Sequence, residues 1–288
     1  MPNYQRQRSL MVEQHIARRG VRDEHVLAAM LAVPRERFIP NAMAEFAYED
    51  SPLPIEEGQT ISQPYIVAAM IEAAEISPGD RVLEVGTGSG YAAAVIAQIA
   101  GKVYAIERHE ALGRAASDRF DALGYDNIEV RVGDGTKGWP EAARFDAILV
   151  AAGGPHVPCA LKDQLAAGGR LVIPVGDDRD QKLLKVTRTT ETEFAEENLG
   201  SVAFVPLIGA QGWAEDGSRA ASNHKPGHSR RQSVPEMIAE AAEDLPGFDD
   251  PAFGVCSIAG PIGGSCCSAR RATARRNSTA PAPRSPAT

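Results

Sequence analysis

The decapeptide VLEVGTGSGY, residues 82–91, contains the strand-to-helix transition from which the fold can be recognised. An apolar run typical of a buried strand leads directly into three glycines, and a helix-forming segment follows them. Gly86, Gly88 and Gly90 permit a positive φ and let a ligand approach the main chain without a Cβ in the way. The alternative interpretation is a tight turn that binds nothing. The order of strand, glycine loop and helix favours a ligand-binding α/β fold.

Short β-rich runs alternate with helical stretches around this loop. Helices are predicted near 91–100, 109–123 and 158–166, and apolar strands separated by helices are typical of a parallel sheet covered on both faces. Two further strands near 182–189 and 201–206 have no helix between them, which predicts an antiparallel edge. The sequence therefore predicts an α/β fold with a doubly wound, mostly parallel sheet. The strands of its parallel part are predicted at RVLEV (81–85), KVYAI (102–106), IEVRV (128–132), FDAILV (145–150) and GRLVIPV (169–175).

The chain before this α/β pattern is predicted to be helical. Apolar residues recur at helical spacing over 3–50, where prolines divide the segment into short helices joined by turns. A further helix is predicted over 64–76, and Ser-Pro-Gly-Asp ends it.

The pattern of strands and helices stops after residue 213. Residues 251–288 contain five arginines and no acidic residue, and such a segment cannot bury enough apolar area to offset its ordering entropy. We expect a domain over 1–213, divided into a helical and substrate-loop segment (1–76) and an α/β core (77–213). Residues 214–288 are expected to form a linker and a disordered extension.

The composition limits the class of protein. Of the 288 residues, 43% are hydrophobic, and the formal net charge is −8, whereas nucleic-acid binders usually carry a basic patch. No apolar run reaches the length of about 18 residues that a membrane span needs, and no export signal is visible. Four cysteines are too few for a disulfide scaffold, and the histidines lack metal-ligand spacing. We expect a cytoplasmic, monomeric enzyme with no bound metal and no nucleic-acid or membrane partner.

Two acidic residues follow later strands of the predicted sheet. Glu107 ends the strand after the glycine loop, 21 residues beyond Gly86, close to the spacing at which an acid reaches a ribose diol. Asp134 follows the third strand, where its carboxylate can accept from an adenine amino group. The alternatives are a solvated acid at Glu107 and a turn-forming Asp-Gly at Asp134. The G-x-G-x-G spacing differs from the G-x-G-x-x-G of dinucleotide sites, so the three features together outline a site for S-adenosylmethionine.

Four segments in order resemble the protein-L-isoaspartate (D-aspartate) O-methyltransferase family. The first is DSPLPIEEGQTISQPYIVAAM (50–70), and its GQTISQP core is highly specific. The glycine loop is the second, VGDGTKGWPEAARFDAILVAAGGPHVPCALKDQLAAGGRLVIPVG (132–176) is the third, and FVPLIGAQGW (204–213) is the fourth. The resemblance covers about residues 5–213.

The resemblance implies a seven-strand S-adenosylmethionine-dependent methyltransferase fold and an L-isoaspartyl substrate in damaged proteins and peptides. Ser62 resembles the family's active-site serine, and Tyr65 stands where some relatives carry histidine. The remaining positions take one of two roles by resemblance. Cofactor binding is implied for Thr60, Ile61, Gly86, Thr87, Gly88, Gly90, Glu107, Asp134, Gly135 and Gln211. Substrate binding is implied for Gln59, Val157, Pro158 and Leu161, with Cys159 expected to be a small buried residue nearby.

The chemistry of this reaction needs no strong base. The substrate's own α-carboxylate is the nucleophile and is already ionised at pH 7, because its pKa is about 3.5. Alignment with an activated methyl group is therefore the main task, and Ser62 is expected to orient the carboxylate by donating a hydrogen bond. A helix-capping or turn serine is the alternative role for Ser62. The alternative functions are methyl transfer to another carboxylate or small acceptor, and NAD-dependent oxidoreduction.

Overall fold

Short helices and turns form the N-terminal part of the protein, as predicted. The computed structural model describes residues 3–177 and 179–216. The first two helices begin where Asn3 and Asp23 accept hydrogen bonds from backbone N–H groups of the first turn, which is the usual N-cap arrangement. Pro64 occupies the first turn of the third helix, where a missing N–H costs nothing. The elements are α1 (Tyr4–Met11), α2 (Glu24–Ala32), the paired short strands β1 (Leu53–Pro54) and β2 (Thr60–Ile61), and α3 (Pro64–Ala73).

A seven-stranded sheet follows, in the order β5-β4-β3-β6-β7-β8-β9. Strands β3 to β7 run parallel, whereas β8 and β9 form an antiparallel edge, so the predicted fold class is confirmed. The strands are β3 (Arg81–Val85), β4 (Lys102–Glu107), β5 (Ile128–Val132), β6 (Phe145–Val150), β7 (Leu165–Gly176), β8 (Gln181–Arg188) and β9 (Phe194–Val202), with helices α4 (Tyr91–Ala97), α5 (Glu110–Leu123) and α6 (Cys159–Asp163) between the parallel strands.

Several predicted boundaries are wrong. The last strand was expected near 201–206 but spans Phe194–Val202, because β8 turns back over residues 189–193, where two backbone N–H groups donate to the carbonyl of Glu193. Its sequence is mostly polar and exposed, so it lacks the apolar pattern of a covered strand. The helix expected over 158–166 ends at Asp163, since the chain enters β7 already at Leu165.

The order of the strands determines where a ligand can bind. The chain passes from β3 to β4 and β5 on one side and then returns to β6 on the other side of β3. Loops that follow neighbouring strands therefore separate at the carboxyl end of β3, and this opens a crevice where ligands bind in doubly wound sheets. Apolar side chains pack on both faces, so β3 is buried from Val82 to Val85.

No helix in the described part of the chain is long and apolar enough to cross a membrane. The extension predicted over 214–288 lies outside the described residues, apart from its first three positions.

Candidate functional site

A cleft opens at the carboxyl ends of β3 and β4. This is the edge of a doubly wound sheet where ligands bind. Its walls include the glycine loop, the chain around β2, the end of β4 with the residues after it, and residues 205–208, which are distant from one another in sequence. Of the predicted site residues, the cleft brings together Gln59, Thr60, Ile61, Ser62, Gly86, Thr87, Gly88, Glu107 and Gly135.

The three glycines of the loop have different functions. All have positive φ values, of 89° at Gly86, 53° at Gly88 and 89° at Gly90. Gly86 and Gly88 line the cleft. Gly90 does not, and a Cβ at this position would lie 2.6 Å from a ring carbon of Phe120. Gly90 thus allows α4 to pack closely against α5, and its predicted cofactor contact is not found in the cleft wall.

Glu107 holds the glycine loop in place from the end of β4. Its Oε2 accepts from the backbone N–H of Gly88 at 2.8 Å, and its Oε1 accepts from the backbone N–H of His109 at 2.9 Å. The side chain is 4% exposed and lines the cleft. Two main-chain donors therefore orient this carboxylate, as a group that binds a ribose diol requires.

Asp134 lies at a shallower pocket next to the cleft. Its Oδ1 accepts from the backbone N–H and the hydroxyl of Thr136 at 2.9 and 2.6 Å, and its Oδ2 accepts from the backbone N–H of Ala210 at 2.9 Å. The turn-forming role is therefore present in the structure. Since a carboxylate oxygen can accept more than one hydrogen bond, Oδ2 can still receive an amino group. The two pockets share Arg108 and Ile208 as lining residues.

The segment around Ser62 is held in the cleft wall by main-chain and side-chain contacts. The carbonyl of Ser62 accepts from Nη2 of Arg35 at 2.9 Å, and Gln63 donates through Nε2 to Asp50. Gln63 is the N-cap residue of α3 and makes no side-chain cap, so the capping alternative for Ser62 is not realised. Because the described residues make no hydrogen bond to the hydroxyl of Ser62, this group is available to a ligand.

Besides Gly90 and Asp134, four predicted residues lie outside the cleft wall. Oε1 of Gln211 accepts from the backbone N–H of Ala160 at 3.1 Å, so this side chain supports the start of α6. Leu161 is fully buried in the apolar core, and Val157 packs against the same core. Pro158 precedes α6 and is buried. Cys159 was expected to be buried but is exposed, because it lies on the outward side of this one-turn helix.

Sequence reasoning missed Glu84, the only acid in the β3 strand. Its side chain lines the cleft, and both carboxylate oxygens are buried with no hydrogen-bond partner among the described residues. Burial raises the pKa of Glu84 to about 8, and the nearby charge of Glu107 adds to the rise. An acid within an otherwise apolar strand was the available signal, since burying a carboxylate is costly unless a ligand or partner compensates for it.

The described residues contain no group of three or more side chains placed to hold a metal ion. What they provide is a cleft lined by the carboxyl groups of Glu84 and Glu107, by the hydroxyl-bearing Ser62, and by apolar residues. The apolar residues include Ile61, Val67 and Leu207. Such a site can bind a cationic, ribose-containing ligand and hold an anionic acceptor beside it.

Comparison with known proteins gives one consistent result. The family model described as protein-L-isoaspartate(D-aspartate) O-methyltransferase matches residues 6–212. A protein-L-isoaspartate O-methyltransferase of Rhodopseudomonas palustris is 61% identical over 209 residues, which are 72% of this chain and 85% of the relative. The enzyme of that name from Brucella anthropi is 56% identical over 216 residues, which are 75% of this chain and 99% of the relative.

A solved structure agrees in fold over the same part of the chain. It is a crystal structure from Plasmodium falciparum, described as a protein-L-isoaspartate O-methyltransferase in complex with S-adenosyl-L-homocysteine. The TM-score is 0.61 at 29% identity, and the alignment covers 72% of this chain and 99% of that chain.

Proposed function

Because this chain belongs to the protein-L-isoaspartate (D-aspartate) O-methyltransferase family, we propose that it methylates the α-carboxylate of L-isoaspartyl residues in damaged proteins and peptides. S-adenosylmethionine is the methyl donor, and the methyl ester initiates repair of the damaged residue. One observation carries the proposal beyond the family match. The free hydroxyl of Ser62 shares a cleft with the buried carboxylates Glu84 and Glu107, so acceptor and donor sites adjoin.

The residues of the cleft fit S-adenosylmethionine. The cofactor carries a positively charged sulfonium and an ammonium group, and the buried carboxyl group of Glu84 can ionise beside such a cation. Glu107 is oriented to accept from the ribose hydroxyls, and Gly86 and Gly88 leave the main chain accessible. Asp134, at the adjoining pocket, would receive the adenine amino group.

The protein's task in the reaction is alignment. When bound, the cofactor supplies a methyl group on a positively charged sulfur, which is activated toward attack by a carboxylate. Ser62 would donate a hydrogen bond from its hydroxyl to the substrate carboxylate and so orient that group toward the methyl. Ile61 and Leu207 are buried in the cleft wall and would limit the access of water to the reacting groups. Since the nucleophile is already ionised at pH 7, no residue has to remove a proton.

The cleft gives less direct support to the residues that were predicted to bind the substrate. Gln59 lines the cleft and would contact the peptide, whereas Val157, Pro158 and Leu161 would act by shaping the chain before and within α6. We propose that the enzyme acts as a monomer in the cytoplasm and uses no nucleic acid. The net charge of −8 supports the last point, because proteins that bind nucleic acid usually neutralise its phosphates with basic residues.

Methyl transfer to a pair of peptides tests the proposal. The peptides differ only in carrying Asp or isoAsp at one position, and the donor is S-adenosylmethionine with a radiolabelled methyl group. We expect base-labile label in the isoAsp peptide and background in the Asp peptide. Equal labelling of both peptides would favour methyl transfer to another carboxylate, and labelling of neither would contradict the proposal.

A thermal-shift comparison distinguishes the proposed methyl transfer from the remaining alternative, NAD-dependent oxidoreduction. S-adenosylhomocysteine binds only the folded state and should raise the melting temperature, whereas NAD should not. A shift with NAD alone would favour an oxidoreductase.

A further inference from the structure

A buried arginine lies directly behind the cleft wall. Arg35 begins a 3-10 turn after α2 and is 0% exposed, although arginine is almost never fully buried unless it is paired. Its Nη2 donates to the carbonyl of Ser62, while Nε and Nη1 are buried without a hydrogen-bond partner among the described residues. The charge is therefore only partly compensated, and this needs an explanation.

The guanidinium contacts two different parts of the cleft wall. Its central carbon lies 4.7 Å from the ring centroid of Tyr91, the first residue of α4 after the glycine loop. Through Nη2 it holds the main chain of Ser62, and both Ser62 and Tyr91 line the cleft. One rigid cation therefore connects the acceptor side of the cleft with the loop on the cofactor side.

The guanidinium keeps its charge at neutral pH. Burial lowers the pKa of Arg35 to about 10, and the electrostatic effects of Tyr91, Tyr48 and Asp50 oppose part of this decrease. A positive charge one residue layer behind Ser62 attracts an anion in the cleft, because a buried charge is weakly screened by solvent. The nucleophile of the proposed reaction is such an anion.

We infer that Arg35 is a positioning residue for methyl transfer, which acts through Ser62. Its guanidinium holds the Ser62 main chain so that the hydroxyl meets the substrate carboxylate, and its charge favours the anionic substrate in the cleft. This inference rests on the proposed function. A purely structural role would predict a loss of stability with no specific effect on the turnover of bound substrate.

Arg188 offers a matched control. It is also a buried arginine that donates to main-chain carbonyls, with Nη1 2.9 Å from the carbonyl of Leu165. Leu165 is at the amino end of β7, opposite to the end of the sheet where the cleft opens. Arg188→Met therefore removes a buried cation whose main-chain contacts lie at the other end of the sheet, away from Ser62 and the glycine loop.

The experiment measures kcat and KM with an isoaspartyl peptide, S-adenosylhomocysteine affinity by calorimetry, and the melting temperature. For Arg35→Met we expect kcat to fall by about 100-fold, as for loss of one oriented group in an active site, with S-adenosylhomocysteine affinity within about 3-fold. Arg35→Lys, which keeps the charge, should recover part of this loss. Arg188→Met should lower the melting temperature and leave kcat within about 2-fold. An unchanged kcat in folded Arg35→Met, or an equal loss in Arg188→Met, would overturn the inference.

A double-mutant cycle tests whether Arg35 acts through Ser62. If it does, adding Arg35→Met to Ser62→Ala should lower kcat by less than about 3-fold further, because residues that act as a unit are not additive. Losses that multiply would overturn the inference. If Arg35→Met does not fold, the same cycle is measured with Arg35→Lys. Failure of the proposed function is distinguishable, because wild-type protein would then not methylate the isoaspartyl peptide at all.

Discussion

The carboxylate of Glu107 accepts a hydrogen bond from the backbone N–H of Gly88 at 2.8 Å, across the gap between the ends of β4 and β3. The acid predicted to bind a ribose and the glycine predicted to border the cofactor are thus joined in one unit. A second N–H, from His109, holds the other oxygen. The carboxylate is fixed before any ligand arrives, so binding the diol requires little further ordering.

Substitution of Glu107 should weaken the cofactor specifically. Glu107→Ala removes a buried, charge-assisted acceptor worth about 1.5–3 kcal/mol, so S-adenosylmethionine should bind roughly 10- to 150-fold more weakly. The matched control is Glu129→Ala on the neighbouring strand β5, because the side chain of Glu129 is exposed and pairs with Lys102. Calorimetry with both variants provides the measurement, and equal affinities would remove Glu107 from the site.

The pKa of Glu84 predicts proton release on cofactor binding. Because burial raises this pKa to about 8, the carboxyl group is mostly protonated at pH 7 in the free protein. A cationic ligand favours the ionised form, so affinity for S-adenosylmethionine should increase from pH 6 to 8 and level off above. Calorimetry in buffers of different ionisation enthalpy measures the released proton. Binding without proton release between pH 6 and 7 would contradict this assignment.

Glu84→Gln should raise the stability of the free protein at high pH and weaken its binding of the cofactor. A carboxyl group whose pKa is raised on folding contributes stability that is present below its ordinary pKa and is lost as the pH rises through about 8. The free variant should therefore melt higher than the wild type at pH 9, by at least about 3 °C, with a smaller difference at pH 5. The affinity of this variant for S-adenosylmethionine should be lower than that of the wild type at both pH values. A variant that is less stable at pH 9 would show that Glu84 has a stabilising partner in the free protein.

Ser62→Ala should affect turnover rather than cofactor binding. Loss of one oriented donor predicts a decrease in kcat of about 10- to 1000-fold. S-adenosylhomocysteine affinity should stay nearly unchanged, because Glu84, Glu107 and the glycine loop remain. The rate of the wild-type enzyme should be flat between pH 6 and 8 at saturating cofactor. A rate that follows a basic group in this range, and loses it in Ser62→Ala, would indicate a general base. His109, which lines the cleft, would be the residue to test.

Gln211 provides a contrast with Glu107. Since its Oε1 accepts from Ala160 and the side chain does not line the cleft, Gln211→Leu should leave S-adenosylhomocysteine affinity within about 3-fold. The free energy of unfolding should fall by about 0.5–1.5 kcal/mol, the net value of one hydrogen bond. A denaturant titration of this variant measures its free energy of unfolding, and a calorimetric titration measures its affinity for S-adenosylhomocysteine. A large loss of cofactor affinity with unchanged stability would restore the contact predicted from the resemblance.

The local features of this protein could be read from its sequence. Apolar runs predicted the five parallel strands near their observed positions, and three glycines between a strand and a helix predicted the loop of the cleft. Both signals come from interactions between residues close in the chain, so no knowledge of tertiary contacts was needed. The polar strand β9 was misplaced, because its position depends on pairing with β8 rather than on its own pattern.

Only the tertiary structure determined how the site is assembled. The pairing of β1 with β2 carries Ser62 to the carboxyl end of β3, beside a glutamate that is distant in the chain. The carboxyl group of Glu84 is buried beneath the covered faces of the sheet, and Arg35 reaches Ser62 where α2 packs against α3 and α4. Burial and contact between distant segments decide which polar groups remain unpaired. Burial and long-range contacts are properties of the packed chain as a whole, so they cannot be predicted from local residue patterns.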